Sequence, residues 1–142
     1  MIKSSKNFKI LANLDTPNYV PVYIFENRNY TVLEAIIVYL KERRKLSFRK
    51  IASLINRDLR YTYNSYQNAK SKQLITEYKI ILNPIQIPLK IFLDEKLPAL
   101  ESLVKFLKEE NYLSLHEIAK ILNRDDRTIW TVYQRARVKY GK

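Results

Sequence analysis

Leu113-Ser-Leu-His-Glu-Ile-Ala-Lys-Ile-Leu-Asn-Arg-Asp125 reads as one helix with both of its ends written in. Ser114 and Glu117 form a capping box, each side chain accepting the other's backbone amide. Ile118, Ala119, Ile121 and Leu122 supply the apolar face that follows. Asn123 suits the left-handed conformation of a helix exit, and Asp125 then caps a further helix. The same pattern stands 67 residues earlier, as Leu46-Ser-Phe-Arg-Lys-Ile-Ala-Ser-Leu-Ile-Asn-Arg-Asp58. There the Ser47 cap is kept, and Lys50 replaces the carboxylate of the box.

Outward from this stretch the match runs without a gap, 17–72 against 84–139, and a repeat of that length is a whole supersecondary unit. Upstream, Leu100, Leu103, Val104 and Leu107 recur at the spacing of an amphipathic helix, as do Leu33, Ile36, Ile37 and Leu40. Thr31 and Glu34 make a capping box at the start of the earlier one. Downstream, a third helix runs to about Lys72 or Lys139, with Ile129, Val132, Tyr133 and Ala136 on one face. Three helices, the last two joined by a tight turn, make a helix-turn-helix unit. Ahead of each unit, Val20-Pro-Val-Tyr-Ile-Phe25 and Ile87-Pro-Leu-Lys-Ile-Phe92 read as extended segments, edge strands or arms packed on the helices. The expected organisation is all-α: a tail at 1–16, a first repeat at 17–72, a connector at 73–83 and a second repeat at 84–142. Thr62 and Ser65 stand where the second copy has Ile129 and Val132, so the core of copy one is expected to be weakened there and its third helix rotated or reused.

Composition narrows the function. The chain has 142 residues, 46% of them apolar, which suffices for a core. It has no cysteine, one histidine (His116) and one glycine (Gly141). Disulfides and thiolate metal sites are excluded, and so are glycine-rich phosphate loops. No nucleophile–base pair and no metal set is visible, so neither an enzyme nor a cofactor is expected. The longest apolar run, Ala35 to Leu40, is too short for a membrane span, and the N-terminus lacks a signal-peptide core. A cytoplasmic protein is the default. The net charge of +12 points to a polyanionic partner, and residues 31–72 alone carry +7 of it.

The run Ser114-Leu-His-Glu-Ile-Ala-Lys-Ile-Leu-Asn-Arg-Asp-Asp-Arg-Thr-Ile-Trp-Thr-Val-Tyr-Gln-Arg-Ala136 resembles the promoter-reading helix-turn-helix in the fourth region of bacterial sigma factors, and related archaeal helix-turn-helix proteins. The resemblance rests on Glu117-Ile118-Ala119, Leu122 before the turn, Thr128-Ile129 early in the third helix and Arg135-Ala136 late in it. It covers each three-helix unit and nothing of the other sigma regions. Asn56 and Asn123 stand where the family usually has glycine. The resemblance implies double-stranded DNA as the partner, with RNA polymerase or another protein as a second one.

In such a motif the third helix enters the major groove and the preceding helix crosses the phosphates. That geometry nominates Arg60, Asn64, Gln67, Arg127, Trp130, Thr131 and Gln134 for base contacts, arginine to guanine and the amides to adenine. It nominates Arg43, Arg44, Lys45, Arg49, Lys50, Arg57, Lys70, Arg124, Arg135 and Arg137 for phosphate contacts. The basic run 41–50 makes copy one the expected electrostatic clamp, and copy two, with its intact core and caps, the better-formed reader. Trp130 and Tyr63, at one repeat position, are read either as base contacts or as packing between the copies or in a homodimer. The expected function is a sequence-specific DNA-binding transcriptional regulator on an asymmetric bipartite site. An interaction module docking on transcription or replication machinery, or an RNA-binding protein, are the alternatives.

Overall fold

The computed structural model describes residues 18–72 and 84–139. The expected tail at 1–16 and connector at 73–83 lie outside the described residues. Each copy contributes a three-residue strand, a 3-10 segment and three helices. In the first these are β1 (Tyr19–Pro21), the 3-10 segment Val22–Glu26, α1 (Val32–Glu42), α2 (Phe48–Ile55) and α3 (Leu59–Ser71). In the second they are β2 (Gln86–Pro88), the 3-10 segment Leu89–Phe92, α4 (Ala99–Glu109), α5 (Leu115–Leu122) and α6 (Asp126–Lys139). The described chain is therefore mostly helical, with one small two-stranded sheet.

The helix ends follow the side chains that cap them. Thr31 and Glu34 bond reciprocally, the Thr31 amide to Glu34 Oε1 at 3.0 Å and the Glu34 amide to Thr31 Oγ1 at 3.1 Å. Ser114 and Glu117 do the same at the start of α5. Asp58 and Asp125 accept the Tyr61 and Thr128 amides at 2.6 and 2.7 Å. Asn56 and Asn123 both leave their helices in the left-handed region, at φ 55° and 56°. A second pair of left-handed residues has no sequence signature: Lys45 at φ 60° and Tyr112 at φ 59°. Each lies three residues past the first helix of its copy, and the Leu46 and Leu113 amides reach back to the Leu40 and Leu107 carbonyls. The closing bond of a Schellman motif, five residues back, is made instead after Asn56 and Asn123, where the Arg57 and Arg124 amides reach the Ala52 and Ala119 carbonyls. Tyr112 is 86% exposed, so its ring contributes little packing. Tyr112→Gly is expected to stabilise the protein by about 1 kcal/mol by relieving the left-handed backbone. A rise in the urea midpoint at constant m-value is the measurement.

Within each copy the third helix packs across the first. An ion pair fastens the far end of that contact: Lys72 to Glu34 in copy one and Lys139 to Glu101 in copy two. A second polar clasp joins Tyr66 to Glu42 at 2.7 Å and Tyr133 to Glu109 at 3.0 Å. The third helix of copy one is not rotated. Thr62 is fully buried and Ser65 nearly so, on the same face as Ile129 and Val132. The hydroxyl of Thr62 bonds back to the Asp58 carbonyl at 3.0 Å, which removes the penalty for burying it.

The two copies join through the extended segments. β1 and β2 pair antiparallel, Tyr19 with Pro88, Val20 with Ile87 and Pro21 with Gln86. The ladder continues reciprocally: the Val22 amide bonds the Ile85 carbonyl, and the Leu89 amide bonds that of Asn18. Proline is tolerated because each strand has only one neighbour. The second helix of each copy then packs on the 3-10 segment of the other. Phe25 meets its own counterpart Phe92 there, ring centroids 6.4 Å apart, and both are buried. The result is one shared hydrophobic core, running from Val20 and Ile24 through Ile36 and Leu40 to Leu103, Ile118 and Ile129.

Candidate nucleic-acid interface

The outer faces of α3 and α6 carry the side chains nominated for base contact. Arg60, Asn64 and Gln67 are exposed on α3 at one helical face, spaced i, i+4, i+7. Arg127 is exposed on α6, and Thr131 and Gln134 half-exposed at the matching positions. Tyr63 and Trp130 are 47% and 56% exposed beside them. Neither is buried between the copies, which removes packing at the copy interface as their role. Gln134 accepts a hydrogen bond from Arg137 at 3.3 Å.

Lys45, Arg49 and Lys50 are exposed around the end of α1 and the start of α2, with Arg43 also exposed. Arg44 is half-buried with its guanidinium over the Tyr39 ring, 5.1 Å from its centroid. Arg135 and Arg137 are exposed on α6. In copy two the ground before the third helix is different. His116 stands 3.1 Å from Asp126, and Glu117 is held in its capping box. Hydrogen bonding to Thr128 holds the Asp125 carboxyl below its ordinary value, so it stays an anion at the start of α6.

Three residues nominated for phosphate contact are held by bonds within the fold. Arg57 donates to the Ile55 carbonyl at 2.7 Å and, across the copy boundary, to the Phe92 carbonyl at 3.1 Å. Arg124 repeats this, to Leu122 at 2.9 Å and Phe25 at 3.4 Å. The reason lies in helix ends. Both arginines follow a left-handed asparagine, where the last carbonyls of the helix lack partners, and a guanidinium has enough donors for several. Asn56 and Asn123 add amide bonds to the Leu93 and Glu26 carbonyls of the opposite copy. Burial pulls the Arg124 guanidinium below its ordinary value, and Arg28 nearby acts in the same direction. The third is Lys70, which is drawn to Glu42 at 2.8 Å.

Partial burial pushes the Glu42 carboxyl up, but the bonds from Lys70 and Tyr66 outweigh it and hold the group below its ordinary value. Glu109 is lowered by Lys105, against some burial, with Tyr133 assisting. A carboxyl lowered in the folded state stabilises fully above its unfolded value, and that stabilisation is lost as pH falls through the folded one. The stability difference between the wild type and a Glu42→Gln/Glu109→Gln variant is therefore expected to be largest above about pH 4.5 and to close on acidification. Both pairs are partly exposed, so each contributes less than about 1 kcal/mol. Urea titrations at pH 7 and in steps below pH 4.5 measure it.

Among the described residues no group of three or more His, Cys, Asp or Glu is placed to hold a metal ion. No helix among them is long and apolar enough to cross a membrane. Compared with protein-family models, with curated proteins and with solved structures, the chain finds no match.

Proposed function

We propose that the chain is a sequence-specific double-stranded DNA-binding protein, a transcriptional regulator that uses α2–α3 and α5–α6 as two diverged helix-turn-helix units. One observation carries this reading. Each copy presents a third helix whose free face bears an arginine and a glutamine at equivalent positions, Arg60 with Gln67 and Arg127 with Gln134. Most other identities between the copies serve the fold as caps, core, clasps or the copy interface. The side chains of Arg60 and Gln67 make no hydrogen bond or ion pair within the described residues, and their types are those that read guanine and adenine edges. The basic residues around the start of α2 supply the phosphate contacts that the motif places there. Mobility shifts of duplex DNA across a salt series test the proposal, with structured RNA of equal length as the competitor. A steep fall of affinity with salt and a preference for the duplex are expected. No retardation of any duplex at low salt overturns it.

A second reading has one observation in its favour. Phe48, Arg49, Leu59, Arg60, Tyr63 and Asn64 line an open groove of about 880 Å³ between α2 and α3. Leu59 and Tyr63 are exposed there, and Phe48 meets Tyr63 and Tyr66 edge-on at 5.3 Å. Exposed apolar surface of that kind suits a protein partner, such as part of the transcription machinery, more than a phosphate backbone. In this reading Leu59→Ser weakens partner binding and leaves duplex affinity alone.

A further inference from the structure

The contacts between the copies come in exchanged pairs. Arg57 bonds the Phe92 carbonyl, and its counterpart Arg124 bonds that of Phe25, the counterpart of Phe92. Asn56 to Leu93 is answered by Asn123 to Glu26. Val22 to Ile85 is answered by Leu89 to Asn18. A contact from i to j matched by one from j to i is the mark of an isologous, twofold interface, and a head-to-tail stacking of repeats does not produce it. Two residues pair with their own counterparts, Val20 with Ile87 in the ribbon and Phe25 with Phe92 in the core. Self-paired positions lie on a twofold axis, so these two pairs trace its line through the molecule.

A twofold sets equivalent residues at the same height along the axis and on opposite sides of it. Arg60 and Arg127 are related in this way, as are Gln67 and Gln134. A duplex has local twofolds of its own, perpendicular to its axis, and protein symmetry is matched by operator symmetry. We infer that the DNA site is an inverted repeat, with its two halves in opposite orientation, and that the direct repeat a tandem duplication suggests is not the target. The inference rests on the DNA-binding reading above and specifies its site. The dyad-related base pairs facing Arg60 and Arg127 are the same in both halves, and so are those facing Gln67 and Gln134. Asymmetry enters where the copies differ, at Asn64 against Thr131 and Tyr63 against Trp130. The site is thus palindromic at the arginine and glutamine positions and broken between them.

Selection of bound duplexes from a random pool by the full chain tests this, followed by selection with Arg60→Ala and with Arg127→Ala. The expected motif has two halves related by reverse complementation at two or more positions. Each variant is expected to relax one base pair, the two lying symmetrically about the centre, with about 5- to 150-fold loss of discrimination there. Halves in direct repeat or a single half overturn the inverted arrangement while leaving sequence-specific DNA binding in place, and retention of duplex with no enriched motif overturns sequence specificity with it. Failure to retain any duplex at low salt overturns both readings, so the two failures are told apart.

Discussion

Replacing Arg57 and Arg124 together by alanine is expected to lower the free energy of unfolding by about 3–6 kcal/mol, with the duplex salt slope unchanged in the fraction that stays folded. The figure follows from what each guanidinium holds. Every arginine closes the end of its own helix and ties that end to a carbonyl of the other copy. Removing a charged hydrogen-bonding partner from half-buried carbonyls costs about 1.5–3 kcal/mol at each site. A domain of this size holds about 5–15 kcal/mol in all, so the double variant approaches the limit of folding. The single variants, each expected to lose about half as much, keep the measurement possible. Lysine should not rescue either one, because an ammonium on a flexible stem lacks the planar fork that reaches two carbonyls at once. Urea unfolding gives the stability and a salt series on duplex DNA gives the slope. Loss of about two units of slope with stability intact would move both arginines back to the phosphates.

These two arginines also mark where the sequence stops being readable. The helix starts at Thr31, Ser47 and Ser114, the exits at Asn56 and Asn123 and the caps at Asp58 and Asp125 all depend on atoms within four residues of one another. Such local chemistry is legible from spacing alone. The function of Arg57 is not, since its distant partner, the Phe92 carbonyl, lies 35 residues away. An arginine beside a turn in a basic protein looks like a phosphate ligand until that carbonyl is in place. The extended segments were legible as extended, but their pairing required knowing that the copies meet face to face. Lys45 and Tyr112 gave no signal at all, because neither residue type favours a positive φ and tertiary packing of Leu46 and Leu113 imposes it. Thr62 misled in the opposite direction. A polar residue on a core face suggested a rotated helix, whereas a bond to its own fourth-preceding carbonyl lets it stay buried.

Neutralising Lys45, Arg49 and Lys50 is expected to have the largest effect on binding. If each contacts one phosphate, the triple variant Lys45→Asn/Arg49→Gln/Lys50→Gln flattens the slope of log affinity against log salt by about 2.7. At 0.1 M salt, relative to 1 M, that corresponds to about eightfold in affinity per contact, or about five-hundredfold together. Asparagine at 45 keeps a residue that accepts the left-handed backbone found there. The fold should not suffer, and the reason bears on function. Arg49 and Lys50 lie in the first turn of α2, at the positive end of the helix dipole, where cations are unfavourable by about 0.3–1 kcal/mol each. Copy two, at the matching positions, has His116 and the capping carboxylate of Glu117. A sequence free to optimise its helix would place acids at both. Removing these cations should therefore raise stability slightly while binding collapses, a divergence that a structural role for the residues does not produce. Unchanged affinity and slope in the triple variant, with discrimination still relaxed by Arg60→Ala, would put the phosphate contacts elsewhere on the surface.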